Sequence, residues 1–217
     1  MFFPIGDTNV ERGYKPFLTY VFIFINVAVF LFQVSLGANQ QVSFVTEYGS
    51  IPAEITHGVD LYTLLTSMFL HGGWMHLIGN MLFLWVFGDN IEATVGYFQY
   101  FLFYIGGGIV AAFSHSILAS SSTVPCVGAS GAISACLGAY LVMFPKSQIK
   151  VLFIALFSTF RVSAIYFLGF WILQQFISGI GSISAPIADA GVAYWAHIGG
   201  FVFGVGMGLL FKKKVRS

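Results

Sequence analysis

Charge is what this chain has least of. Asp, Glu, Lys and Arg make up 8% of its 217 residues, while 58% are hydrophobic and mean hydropathy is +0.87. A water-soluble domain carries roughly 25% charged residues. So sparse a set cannot clothe a surface in water, which excludes an ordinary soluble globule and makes lipid the solvent. A net charge of +1, with no basic stripe interleaved with aromatics, gives nucleic acid nothing to bind. Cysteine is scarce as well. Cys126 and Cys136 fit no metal-ligand spacing and read as free packing residues rather than a disulfide. There is no HExxH pair and no carboxylate inside the apolar runs to complete a metal site, so neither metal nor cofactor is expected. No polar stretch is long enough to fold by itself. The chain therefore reads as one membrane domain, 17–211, between an N-terminal segment, 1–16, and a basic tail, 212–217. The opening MFFPIGDTNVERGYKPF is not a secretory signal, because no small-residue cleavage site follows the first apolar run. That run is expected to be a retained span.

What is abundant is apolar sequence, and the few charges punctuate it. A helix crosses the hydrocarbon core in roughly 20 residues at about 1.5 Å each. Residues 17–36 fit directly, and 61–88 contain no charged residue, with a second span expected near 74–88. From 93 to 145 the chain is again uncharged, long enough for spans near 96–114 and 128–144 joined by the turn-rich SHSILASSSTVPCV. Spans at 162–180 and 192–211 complete six, an all-α polytopic bundle. The apolar stretch 151–160 is too short to cross and is expected at the interface or as an extension of the next helix. Six spans put all nine basic residues on one side, beside both termini, and none in the opposite loops. By the positive-inside rule that side is cytoplasmic, and a bacterial plasma membrane is the expected location. The long segment 39–70 on the other side is expected to pack against the bundle with some helix of its own. No internal repeat supports an inverted-repeat transporter.

Polar groups inside such a bundle are costly, so each calls for a reason. HGGWMHLIGN holds His71, His76 and Asn80, the last two one helical turn apart on a common face. Gly128-Ala129-Ser130-Gly131 opens span four, where free backbone N–H groups and the positive end of the helix dipole meet an anion. His197 begins span six, and Gly200, Gly204 and Gly208 line a groove beside it at four-residue intervals. Each feature also has a purely structural reading: interhelical hydrogen bonds for the His–Asn pair, close helix packing for the small residues, a satisfied core imidazole for His197. Depth favours chemistry. His76, Ser130 and His197 fall two to six residues into their spans, all within about 10 Å of one interface.

That set suits acyl transfer. Serine is a weak nucleophile until a base takes its proton, and His197 is the base by type and position. No carboxylate lies within spans four or six, and the acid nearest His197 in sequence is Asp189, so a Ser–His dyad is expected. His76, Asn80 and the Ser130 N–H would donate to the oxyanion.

HGGWMHLIGNMLFLWVFGDNIE, VGASGAISACLGAY and AYWAHIGGFVFG, in this order, resemble the rhomboid family of intramembrane serine proteases over about 51–211. The resemblance implies a six-helix fold, Ser130 as nucleophile, His197 as base, and His76 and Asn80 at the oxyanion site. Gly128, Gly131 and Gly200 would support them, and transmembrane proteins would be the substrates. It also implies a membrane-embedded first loop and a short cap after span five. Two features depart from the pattern. Ser134 stands where some members place an aromatic that stacks on the histidine, so that support must come from elsewhere. The first-loop tryptophan–arginine pair of some members is missing. A rhomboid-like protein that binds spans without cutting them is the alternative.

Overall fold

The computed structural model describes residues 2–8, 13–153, 158–184 and 192–215. Six long helices form the body: α1 (Phe17–Ser35), α5 (Trp74–Val95), α6 (Tyr97–Leu118), α7 (Ser130–Met143), α8 (Ala164–Ser184) and α9 (Tyr194–Val215). Between the first two lie α2 (Ala38–Tyr48), α3 (Pro52–Thr56), α4 (Thr63–Thr66) and a 3₁₀ turn at Ser67–Phe69. Four of the long helices, α1, α6, α8 and α9, are long and apolar enough to cross a membrane. Their outward side chains confirm the solvent: Phe24, Phe98, Tyr166 and Leu210 each expose two thirds or more of their surface. Water would not tolerate so much apolar surface, and lipid requires it. The protein is a polytopic, mostly helical membrane protein.

The remaining two long helices differ from these four for a physical reason. At 14 residues α7 spans roughly 21 Å. It is nevertheless the centre of the bundle, with every residue from Gly131 to Tyr140 buried, so neighbouring helices shield it from lipid. Helix α5 runs to Val95 rather than ending near Gly88, and its last turns bury Asn90 and Glu92. Glu92 is held there by the start of α1. Its carboxylate accepts from the Leu18 and Thr19 N–H groups at 2.7 and 2.8 Å and from the Thr19 hydroxyl at 2.7 Å. A buried acid thus caps a helix N-terminus from another helix, satisfying donors with no partner in their own turn. Gly96 joins α5 to α6 at φ +84°, where its bare α-carbon also makes room for the Tyr14 ring.

Strands, absent from the expected all-α architecture, close the face that carries the described ends. β1 (Phe2–Gly6), β2 (Gln148–Phe153) and β3 (Ser158–Ser163) form an antiparallel sheet in that order. The described residues of the stretch 151–160 are therefore strand and do not extend α8. β-branched and aromatic residues in QIKVLF and STFRVS favour extended backbone, and β1 supplies the pairing partner that local sequence cannot reveal. Asp7 follows β1 and reaches the bundle, where the Tyr140 hydroxyl and the Asn90 amide donate to its carboxylate. Burial raises the Asp7 pKa to about 6, outweighing those two hydrogen bonds, which lower it. Lys15, Lys146, Lys150 and Arg161 all belong to this terminal face.

At the opposite face the 39–70 segment forms the short helices expected of it. Just past its end, Gln33 of α1 donates from its amide to the His71 carbonyl at 2.8 Å. The Gly128 N–H donates to Ser67 O at 2.9 Å, and Ser50 pairs with Cys126. Both cysteines are free.

Candidate active site

Ser130 is the first residue of α7 and His197 lies in the first turn of α9. The two helices run parallel in a fixed register set by glycine. A β-carbon placed on Gly200 would lie 2.2 Å from Gly131 O, on Gly204 2.0 Å from Ala135 O, and on Gly208 2.8 Å from Ala139 Cα. From the other side, one on Gly138 would lie 2.1 Å from Phe201 O. Backbones touch over three turns, so only glycine fits. One turn beyond Gly200 this register sets His197 beside the start of α7. His197 Nε2 lies 2.8 Å from Ser130 Oγ, and both residues are half-buried.

The segment before the serine is shaped by a second glycine contact. Gly128 has φ +126°, a conformation that side chains disfavour, and a β-carbon there would lie 2.8 Å from both Cε1 and Nε2 of His76. The same carbon would be 3.4 Å from the Asn80 amide nitrogen. His76 and Asn80, one turn apart on α5, therefore sit against the backbone that leads into Ser130. The Gly72 N–H donates to His76 Nδ1 at 3.3 Å, orienting the ring. The Asn80 amide contacts His71 Nε2 at 2.9 Å. Burial, and then the neighbouring His76, lower the His71 pKa to about 3, so this ring is neutral and can accept from that amide.

The expected residues converge: Ser130 and His197 touch, His76 and Asn80 flank Gly128, and Gly131 and Gly200 meet at the α7–α9 contact. Asp189 and the cap expected after span five fall outside the described residues. Three neighbours were not foreseen. His197 Nδ1 lies 2.8 Å from Gln175 Oε1 on α8, and the Trp171 ring sits 5.8 Å from the His197 ring at a 37° tilt. His71 is the third. Ser134 bonds back to the Ser130 carbonyl at 2.6 Å, so the aromatic beside the histidine comes from α8 instead. The sequence did hold a signal for Gln175: a polar Gln174–Gln175 pair interrupts the apolar run of span five. Among the described residues no cluster of three or more His, Cys, Asp or Glu could hold a metal ion.

Residues 59–214 match the rhomboid domain family. Rhomboid protease GluP of Bacillus subtilis is 31% identical over 135 residues, covering 62% of this chain and 26% of that protein. The human presenilin-associated rhomboid-like protein, mitochondrial, is 26% identical over 144 residues, 65% of this chain and 36% of that protein. Rhomboid protein 1, mitochondrial, of Saccharomyces cerevisiae is 29% identical over 205 residues, 92% of this chain and 55% of that protein. The matches thus span between a quarter and just over half the length of these relatives.

Proposed function

The chain belongs to the rhomboid family, and from that premise we propose that it is an intramembrane serine endopeptidase, hydrolysing peptide bonds within or near transmembrane segments of other membrane proteins. The observation that carries the reading is the 2.8 Å contact between Ser130 Oγ and His197 Nε2. That distance lies within the hydrogen-bond reach a general base needs. As Ser130 attacks the scissile carbonyl, its proton passes to Nε2 and the carbonyl oxygen gains charge. The Ser130 N–H, Asn80 and His76 donate to that oxygen, preorganised where water is scarce. Collapse of the intermediate gives the proton from Nε2 to the leaving amine and leaves an acyl-serine. Water, deprotonated by the same imidazole, then releases the acid and restores Ser130. Because a helical substrate has its carbonyls hydrogen-bonded, it must unwind locally, which favours segments with Gly, Pro or small residues.

The six long helices serve as six spans, with the site near the face opposite the termini. The basic residues of the terminal face then put both termini in the cytoplasm, with the plasma membrane as the location. Incubating the purified protein with a fluorophosphonate tests the chemistry: wild type should label, and neither Ser130→Ala nor His197→Ala should. Labelling that persists in Ser130→Ala would overturn the assignment. A wild type that neither labels nor cleaves a single-span substrate would favour a protein that binds spans without cutting them.

A further inference from the structure

Contact with Ser130 does not by itself decide which imidazole nitrogen carries the proton. For Nε2 to accept from the serine hydroxyl, the ring hydrogen must sit on Nδ1. Gln175 Oε1, which can only accept, stands 2.8 Å from Nδ1, and Gln175 exposes only 6% of its surface. With the hydrogen on Nε2 instead, a lone pair on Nδ1 would face the amide oxygen and the Ser130 hydroxyl would lose its acceptor. Trp171 lies one turn earlier on the same face of α8. Its ring is tilted against His197 and also against Phe201, at 6.1 Å. The opposite face of α8 turns outward: Tyr166, Phe170, Leu173, Phe176 and Ile177 are exposed. The face that seats this helix on the bundle is thus the face that holds the imidazole.

We propose that Gln175, with Trp171 beside it, is the positioning residue of the catalytic histidine, so that α8 supplies the third member of a Ser–His–Gln chain. This rests on the serine-protease reading above. Gln175 touches no reacting atom. It fixes the tautomer and the ring plane, while the tilted Trp171 ring packed beside the imidazole limits its rotation. Among the described residues no carboxylate takes that role, and a neutral amide acceptor avoids burying a charge beside the imidazole.

The test uses the full chain in detergent with fluorophosphonate labelling and cleavage of a single-span substrate. Gln175→Met keeps the length and volume of the side chain and removes the acceptor. It should lower kcat and the labelling rate about tenfold, the worth of one hydrogen bond, with KM and thermal melting close to wild type. Gln175→Glu, which restores an acceptor, should recover most of that loss. In histidine labelled with ¹⁵N, the His197 signals should change from a single Nδ1–H tautomer in wild type to a mixture in Gln175→Met. A Gln175→Met protein with wild-type kcat and a single tautomer would overturn the positioning role and leave the protease reading standing. Equal losses in the Met and Glu variants, each with lowered melting, would make Gln175 a packing residue and also overturn it. A wild type that takes no label defeats the protease reading, and the positioning role with it.

Discussion

A single methyl group at Gly204 tests whether close helix packing is what assembles the site. Gly204 lies two turns from His197 and touches neither the serine nor the histidine. Its added carbon would meet Ala135 O at 2.0 Å, backbone that cannot rotate away as a side chain would. Ordinary carbon contact begins near 3.4 Å, so α7 and α9 must part by roughly 1.4 Å to admit it. Rigid separation by that amount would stretch the 2.8 Å contact of Ser130 with His197 beyond hydrogen-bond range. A misplacement of about 1 Å costs on the order of 100-fold in rate, while overpacking of this kind costs about 1–3 kcal/mol in stability. Gly204→Ala should therefore remain folded in detergent yet cleave a single-span substrate about 100-fold more slowly, with fluorophosphonate labelling slowed in parallel. Gly206→Ala is the control, because its added carbon meets nothing within 4 Å. Wild-type cleavage by Gly204→Ala would refute the reasoning. So would an equal loss in Gly206→Ala, since the effect would then follow from any methyl group on α9.

Removing the buried cap should cost stability more than activity. Glu92→Ala leaves two backbone donors and the Thr19 hydroxyl without their acceptor, and is expected to lose about 3 kcal/mol in reversible unfolding by SDS titration. An unchanged midpoint would count against the cap. Asn80→Ala should lower kcat on the order of 100-fold with a smaller change in KM; a loss confined to KM would remove Asn80 from the oxyanion site. At the terminal face, Asp7 has a pKa raised from 3.8 to about 6, so the folded state favours its protonated form. Its contribution to stability is fully present below the unfolded value and fades as pH rises through about 6. Hydrogen exchange of the β1 amides should accordingly show docking weaken from pH 4 to 6, and Asp7→Asn should flatten that slope. A slope that survives the substitution would exclude Asp7 as its origin.

The membrane class, the helices and the polar residues that gather at the candidate site were legible in the chain alone because lipid imposes simple rules. An apolar run must be helical, since its backbone has no water to bond. A polar group within such a run must have a partner. Those two constraints picked out Ser130, His197, His76, Asn80 and the glycine face of α9 with no knowledge of who met whom. Pairing across distance followed no such local rule. The stretch 151–160 read as interfacial or as an extension of the next helix because strand 148–153, besides pairing with 158–163, pairs with residues 2–6, far away in sequence. Glu92 fell between the second and third expected spans, and only the fold sets the start of α1 against it; α7 proved short because its neighbours, not lipid, surround it. Gln175 was the largest omission. Its polarity was visible in span five, but only the seating of α8 on α9 turned it toward His197. One chain could therefore specify which groups needed partners, because desolvation acts on each residue where it stands. Which partners they found depended on the register and tilt of helices far apart in sequence, and tertiary packing alone decides that.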